Sequence, residues 1–233
     1  MFIIRILSKK YQFFAGIAVL MMLFGCGDEG KKDNSTKKAV SITVPEADGE
    51  VYIKKLLVPG PMKEISIGNQ DSPVKIVEYV SMTCVHCADF HNRTLDLIKK
   101  KYIDTGKVLL IVREFPLDVV ATAAFMLARC LEDQGEGKYL AFISMLFKQQ
   151  KVWLASDNNR EALFNVSKVA GFSQESFKVC LTNQKLLDNL NAVKENAAKN
   201  FGVNSTPTFF INGKRYLGDM SEGTFSAIID KIL

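Results

Sequence analysis

The chain has 233 residues, of which 48% are hydrophobic and 24% charged, and a formal net charge of +5 at pH 7. This length suits one domain, or one domain with an insertion, behind a leader segment. The lysines are scattered along the sequence, and nucleic-acid binding needs a clustered basic face, so we expect no nucleic-acid partner.

Residues 1–25 are predicted to be a signal peptide. Their first ten residues contain Arg5, Lys9 and Lys10 and no acid, and an apolar run follows from Tyr11 to Phe24. This run is shorter than the about 20 residues that a membrane span needs. It ends in LFGC, which resembles the bacterial lipobox and predicts lipidation of Cys26. The alternative is ordinary signal cleavage, in which case Cys26 has no role.

Either form of processing takes the chain out of the cytosol, and we expect a periplasmic protein. Its membrane contact would come only from the signal peptide or the lipid anchor. Residues 26–38 contain no large apolar side chain and are predicted to be a polar, flexible tether.

The segment SPVKIVEYV, residues 72–80, has apolar side chains on both alternating faces, as in a strand that helices cover on both sides. Glu78 is the exception. From Cys84 to Tyr102 the apolar residues recur at helical spacing, and KVLLIVREF follows as a second strand. This order is a βαβ unit and predicts a parallel pair of strands.

Residues 118–200 contain several segments with helical periodicity and no convincing strand, so we expect a helical insertion. Further on, TPTFFINGKRYLG predicts two strands joined at Asn212–Gly213, a dipeptide that favours a type I′ hairpin turn. A closing helix follows, with Ser221 as its N-cap residue.

The segment SMTCVHCADFH, residues 81–91, contains Cys84, Cys87 and both histidines of the chain. A Cys-x-x-Cys pair that follows a strand and opens a helix is typical of redox-active thiols. At a helix N-terminus, unpaired N–H groups and the helix dipole stabilise a thiolate. We therefore predict that Cys84 is the exposed nucleophile and Cys87 the partly buried resolving thiol. His86 would place a ring N–H or a positive charge near the Cys84 sulfur.

Two other readings of this segment stay open but are less favoured. Cys84, Cys87 and His91 supply three zinc ligands, whereas a structural zinc site needs four and the chain has no second Cys-x-x-Cys pair. The two cysteines could also form an inert structural disulfide. We expect no metal and no cofactor. His91, two helical turns beyond Cys84, is predicted to lie on the helix surface.

From about residue 65 to the C-terminus, these motifs resemble the DsbA family of exported thiol:disulfide oxidoreductases. Cys84, His86 and Cys87 match the family's C-P-H-C box, in which this chain has Val85 in place of proline. The resemblance implies an α/β protein with a thioredoxin-like fold and an inserted α-helical domain. Residues 39–117 and 201–233 would form the thioredoxin-like domain, with residues 118–200 inserted.

The resemblance also extends to three residues outside the box. Glu78 falls where the family has a buried acid, and we expect it to have a raised pKa and to relay the proton of Cys87, the alternative being a purely structural acid. Pro207 matches the cis-proline loop, although a trans bond would be expected without the resemblance. Thr206 and Pro207 would present backbone groups to the substrate.

Cys130 and Cys180 lie in the predicted insertion. A structural disulfide between them is expected in an oxidising compartment if their Cα atoms lie near about 5.5 Å apart. As free thiols they would be small apolar core residues. A second cysteine pair also resembles alphaproteobacterial branches of the DsbA family.

The resemblance implies a monomeric thiol oxidase that donates the Cys84–Cys87 disulfide to unfolded or reduced exported proteins through a mixed disulfide at Cys84. A DsbB-like membrane protein is the redox partner that it implies. One alternative is a disulfide isomerase or reductase of the same superfamily, in which threonine also precedes the cis-proline. Another is a surface lipoprotein without enzymatic activity.

Overall fold

The computed structural model describes residues 44–132, 134–218 and 220–233. The signal peptide, the tether and lipidation at Cys26 concern residues outside these ranges, and they stay predictions. No helix in the described ranges is both long enough and apolar enough to span a membrane.

The described residues form one mixed sheet of six strands, in the order β1-β6-β5-β3-β4-β2. Strands β3 and β4 run parallel, from Val74 opposite Val108 to Val80 opposite Glu114, as the βαβ pattern predicted. The other neighbouring strands are antiparallel. The strands are β1 (Gly49–Glu50), β2 (Ile65–Ile67), β3 (Val74–Val80), β4 (Val108–Glu114), β5 (Thr208–Ile211) and β6 (Lys214–Leu217).

Ten α-helices lie within the described ranges. They are α1 (Ile53–Leu56), α2 (Val85–Asp89), α3 (Leu95–Ile98), α4 (Val119–Glu132), α5 (Glu136–Lys148), α6 (Gln150–Leu154), α7 (Asn159–Val169), α8 (Gln174–Leu181), α9 (Gln184–Phe201) and α10 (Glu222–Ile232). Six of them, α4 to α9, follow one another between β4 and β5, as expected of the helical insertion. The exact limits of the inserted domain stay a prediction.

The helix predicted from Cys84 to Tyr102 is not a regular α-helix. Two π-helical turns, Phe90–Thr94 and Lys99–Ile103, flank α3. A π turn adds one residue to the helical turn and changes which side chains face inward. Here Phe90 and the side chain of His91 are both buried, although they are adjacent in sequence.

The sheet has a buried apolar core on each face, and β3 contributes to both. Val74, Ile76 and Val80 pack into one core, which also contains the two cysteines that follow β3. Val77 and Tyr79 pack into the other. Strand β3 is therefore covered on both faces, as its continuous apolar pattern predicted.

The C-terminal hairpin and helix also match the prediction. Asn212 and Gly213 have φ angles of 47° and 91°, the positive values that a type I′ turn requires. The side chain of Ser221 accepts a hydrogen bond from the backbone N–H of Thr224 and caps α10. This hairpin supplies β5, which pairs with β3 and brings the preceding loop to the cysteines.

Candidate active site

Cys84 is the N-cap residue of α2, immediately after the loop that follows β3. Its Sγ accepts a hydrogen bond from the backbone N–H of Cys87 at 3.4 Å. Its thiol donates to the carbonyl oxygen of Thr206 at 3.1 Å. Both cysteines of the pair are free thiols in the structure. Two parts of the chain, far apart in sequence, therefore meet at the Cys84 sulfur.

The Cys84 side chain is less exposed than the sequence suggested, because the loop before β5 lies against it. Cys84 is 9% exposed, and Cys87 is fully buried. The peptide bond between Thr206 and Pro207 in this loop is cis. Solvent reaches the pair through Cys84 alone, so Cys84 is the sulfur that an incoming thiol can attack.

Hydrogen bonds to the sulfur lower the pKa of Cys84 from an ordinary value of 9.0 to about 6. The largest contribution is the hydrogen bond from the Cys87 thiol. Burial opposes it, and Thr206 and the backbone N–H groups of Cys87 and His86 add to the stabilisation of the thiolate. These N–H groups are those of the first turn of α2, as the position at a helix start predicted.

The pKa values of the two thiols are shifted in opposite directions. Burial raises the pKa of Cys87 well above its ordinary value, and its hydrogen bond to Cys84 and the charges of Cys84 and Glu78 raise it further. In the reduced protein, Cys84 is therefore the thiolate and Cys87 the protonated thiol. Such a pair can perform thiol–disulfide exchange at one sulfur and resolve it with the other.

The Thr206 hydroxyl is a donor that the sequence did not reveal. Its Oγ1 is buried and, among the described residues, has no hydrogen-bond partner. A buried hydroxyl without a partner is destabilising. Because it contributes to the low pKa of Cys84, its natural acceptor is the Cys84 thiolate rather than the thiol.

His86 is exposed on the first turn of α2. Its backbone N–H contributes to the low pKa of Cys84. Within the described part of the chain, the imidazole makes no hydrogen bond to the Cys84 sulfur. The role predicted for the His86 ring therefore stays a prediction.

The prediction that His91 lies on the helix surface is wrong. Its side chain is only 5% exposed, and its Nε2 lies 3.1 Å from both carboxylate oxygens of Glu78, which is fully buried. The imidazole also stacks on the ring of Phe147 with 4.5 Å between centroids. The π turn that begins at Phe90 directs His91 inward. The sequence did contain one signal for this contact, because Glu78 interrupts an apolar strand and a buried acid needs a partner.

The loop between β3 and α2 is held by side chains that the sequence did not single out. Gln150 Nε2 donates to the carbonyl oxygens of Met82 and Cys84, each at 2.9 Å. The Thr83 hydroxyl donates to Asp118 Oδ2 at 2.7 Å. Asp118 immediately precedes α4, and Gln150 is the first residue of α6. The inserted helices therefore hold the loop that carries Cys84.

Across residues 44–132, 134–218 and 220–233, no three histidine, cysteine, aspartate or glutamate side chains are grouped as metal ligands. The histidine of the zinc reading, His91, faces Glu78 instead. The geometry therefore gives no support to a zinc site at Cys84 and Cys87.

Cys130 of α4 and Cys180 of α8 form a disulfide in the structure, with their Cα atoms 6.1 Å apart. The bridge closes a sequence separation of 50 residues. Cys180 is buried and Cys130 half-buried. The bridge links two of the inserted helices.

Comparisons with known proteins agree with this geometry. The family model described as "Thioredoxin" matches residues 62–231. A Rickettsia felis protein named "Putative protein-disulfide oxidoreductase" is 34% identical over 206 residues, which cover 86% of this chain and 72% of the relative. The crystal structure of Wolbachia pipientis alpha-DsbA1 matches with a TM-score of 0.70 and 31% identity, covering 78% of this chain and 96% of that chain.

The chain belongs to the DsbA-like branch of the thioredoxin family. It is a thiol–disulfide oxidoreductase, as the resemblance of its sequence implied. BdbD from Bacillus subtilis matches with a TM-score of 0.63 at 19% identity, a likeness that concerns the fold alone. In this DsbA-like protein the Cys-x-x-Cys segment reads Cys-Val-His-Cys, so the residue after Cys84 is an exposed valine.

Proposed function

We propose that this DsbA-like oxidoreductase donates the disulfide between Cys84 and Cys87 to reduced proteins exported to the periplasm. The observation that carries the proposal is the unequal ionisation of the two thiols. With a pKa of about 6, Cys84 is mostly thiolate at pH 7, whereas the pKa of Cys87 is raised well above its ordinary value. Stabilisation of the reduced pair makes its disulfide easy to transfer.

The exchange proceeds in two steps. A substrate thiolate attacks the Cys84 sulfur of the Cys84–Cys87 disulfide, a mixed disulfide forms, and Cys87 leaves and takes up a proton. A second substrate thiolate then attacks the substrate sulfur of the mixed disulfide, and Cys84 leaves as a thiolate. The substrate loses two electrons and gains a disulfide, while the pair becomes reduced. The low pKa of Cys84 favours this step because a more acidic thiol leaves faster.

The surroundings of Cys84 suit an unfolded polypeptide as substrate. The Thr206 carbonyl, to which the Cys84 thiol donates, loses that donor when the sulfur is in a mixed disulfide. It can then accept a hydrogen bond from a substrate N–H beside Pro207. Exposed apolar side chains lie within two residues in sequence of Cys84 and of Asp118 and Gln150, which bind its loop, and they can contact the apolar side chains of an unfolded chain: Val85, Leu117, Val119 and Val152.

Glu78 is proposed to exchange the proton of Cys87. The Glu78 charge acts on Cys87, and the carboxylate is fully buried beneath the pair. His91 holds both carboxylate oxygens from the other side. A buried carboxylate close to a thiol that must gain and lose a proton is suited to this task.

Repeated turnover requires that the two electrons leave the reduced pair. We propose a DsbB-like membrane protein as the oxidant and a periplasmic location, with attachment at Cys26 as the means of keeping the enzyme near the membrane. These proposals rest on the family and on the N-terminal sequence.

A disulfide isomerase is the second candidate, and one observation favours it. The pKa of Cys84 is about 6, close to ambient pH, and a thiol with such a pKa is an effective attacker of disulfides as well as a good leaving group. Incubation of the reduced protein with a test protein that contains mispaired disulfides distinguishes the two. Recovery of the native pairing at a rate above that of oxidation would favour the isomerase.

The reduction potential of the Cys84–Cys87 couple tests the proposed function. Equilibration with glutathione should give a value between about −180 and −120 mV, the range from disulfide isomerases to DsbA. The oxidised protein should also transfer one disulfide to a reduced peptide with two cysteines, and a Cys84→Ser variant should transfer none. A potential near about −270 mV, as in thioredoxin, would overturn the proposal.

A further inference from the structure

One buried side chain of the inserted helices makes two hydrogen bonds to the loop that carries Cys84. Gln150, the first residue of α6, is 3% exposed. Its Nε2 donates at 2.9 Å to the carbonyl oxygen of Met82 and at 2.9 Å to that of Cys84. These carbonyls lie on either side of Thr83. A single amide group therefore holds both ends of the turn that leads into α2.

The position of Gln150 is fixed by the packing around it. Trp153, one turn further along α6, is buried and donates from Nε1 to the carbonyl oxygen of Leu146 at 2.8 Å. Asn92, in the π turn after α2, donates to the carbonyl oxygen of Phe147 at 3.2 Å. The junction of α5 and α6 is thus attached to the helix that follows Cys84, and Gln150 begins α6 at this junction.

The chemistry of a buried glutamine indicates why this residue type stands here. Fixing its long side chain loses rotamer entropy, and burying its amide without partners is unfavourable. An apolar residue would avoid the second penalty if packing were its only task. The amide has two N–H donors, and each carbonyl of the loop receives one of them.

We infer that Gln150 is a positioning residue for Cys84, because its two hydrogen bonds hold the turn that places the Cys84 sulfur against the donors of α2. Stabilisation of the thiolate depends on donors arranged around the sulfur, among them the N–H of Cys87 at 3.4 Å. This arrangement is kept only while the turn before α2 is held in place.

The inference deepens the proposed function, on which it rests by taking Cys84 as the reacting sulfur. It assigns to the inserted helices an indirect part in the redox chemistry, in addition to any contact with substrate. Gln150 itself touches no reacting atom and acts through the loop.

The test compares Gln150→Met with Gln149→Met in the full-length protein. Methionine keeps the unbranched shape and removes the donors, and Gln149 is the neighbouring glutamine, whose side chain makes no hydrogen bond among the described residues. Thiolate absorbance near 240 nm, followed against pH, should show the Cys84 midpoint raised by about half a unit to one unit in Gln150→Met, a change in proton affinity of about three- to tenfold. Gln149→Met should keep the parent midpoint.

The glutathione equilibrium at pH 7 should shift about three- to fivefold toward the disulfide in Gln150→Met, because less thiolate stabilisation remains. Gln150→Glu, which adds a negative charge at the same place, should raise the midpoint further. If Gln150→Met has a lower unfolding midpoint but an unchanged thiolate midpoint, Gln150 is only structural and the inference is wrong.

A measurement on the unaltered protein covers the case in which the variants do not fold. In ¹⁵N-correlated spectra of the reduced protein, the side-chain amide of Gln150 should shift with pH at the midpoint of Cys84, and its protons should be protected from exchange. An amide that exchanges freely and does not follow the titration would overturn the inference. A parent midpoint near 9 would instead contradict the proposed function, independently of how the variants compare with it.

Discussion

His91 Nε2 lies 3.1 Å from each of the two carboxylate oxygens of Glu78, and both side chains are buried. The acid that interrupts an apolar strand is therefore bound to a partner thirteen residues later, beyond the active-site cysteines. Phe147, from the inserted helices, covers the imidazole on one face. The acid below the redox pair is thus held by the helix that carries the pair.

This contact predicts that Glu78 and His91 are strongly coupled in their contributions to the free energy of unfolding. His91→Phe keeps the ring packing on Phe147 but leaves the Glu78 carboxylate buried without its partner, which should cost about 3 kcal/mol of the free energy of unfolding. Glu78→Leu should have a comparable cost, and the double variant should cost clearly less than the sum. Denaturant unfolding of all four proteins measures the coupling. Additive costs would show that the contact has no energetic importance.

A second prediction concerns proton exchange at Cys87. Glu78→Gln removes the carboxylate that is proposed to exchange the proton, and resolution of a mixed disulfide by Cys87 should slow several-fold. Attack by a small thiol on Cys84 should change less. Stopped-flow measurement of the two steps separates them, with Asp89→Asn on α2 as a control for the loss of one nearby negative charge. Equal slowing by both variants would leave Glu78 as a structural acid.

The pKa of Cys84 gives the free energy of unfolding of the reduced protein a defined pH dependence. Because folding lowers this pKa from 9.0 to about 6, the thiolate adds stability that is present above pH 9 and is lost as pH falls through 6. The raised pKa of Cys87 acts above pH 9 and does not affect this interval. Between pH 6 and pH 8, the free energy of unfolding of the reduced protein should rise by up to about 1.4 kcal/mol per pH unit relative to Cys84→Ser. If the free energy of unfolding rose with pH equally in the parent and in Cys84→Ser, the low pKa of Cys84 would be contradicted.

The unsatisfied hydroxyl of Thr206 can be removed without loss of shape. Thr206→Val should raise the thiolate midpoint of Cys84, since a donor to the sulfur is lost. In the oxidised protein, which has no thiolate, it should leave the unfolding midpoint unchanged or slightly higher, because a buried hydroxyl without a partner disappears. Thr208→Val, at a hydroxyl that donates to the Ser205 carbonyl, is the matched control and should instead lower stability. A Thr206 variant with the parent midpoint would show that the hydroxyl does not reach the thiolate.

The Cys130–Cys180 disulfide should resist mild reduction while the active-site disulfide opens. The low pKa of Cys84 stabilises its thiolate and so favours the reduced form of the Cys84–Cys87 pair. Thiol counting under graded dithiothreitol should show two thiols first and two more at stronger reduction. Replacing Cys130 and Cys180 by alanine should lower stability by up to about 4 kcal/mol in the chain-entropy model. Release of all four thiols together would refute this order.

The sequence predicted the elements whose pattern is local. The alternation around Glu78, the helix start at Cys84 and the Asn212–Gly213 turn each depend on neighbouring residues, and the structure has them as expected. The orientation of His91 was missed because regular helical spacing was assumed, whereas a π turn precedes α3. Gln150 could not be found from sequence, because its partners are backbone carbonyls, which every residue type provides.

The contact between Cys84 and Thr206 joins residues 122 positions apart. A chain that is synthesised from its N-terminus therefore contains both cysteines of the pair long before the loop that completes their surroundings. Until that loop is synthesised and packed, Cys84 lacks the Thr206 contribution to its low pKa. Strand β5, which follows the loop and positions it, is then not yet paired with β3. The full acidity of Cys84 is thus a property of the finished chain, and a polypeptide interrupted before Thr206 would carry a Cys84 of higher pKa.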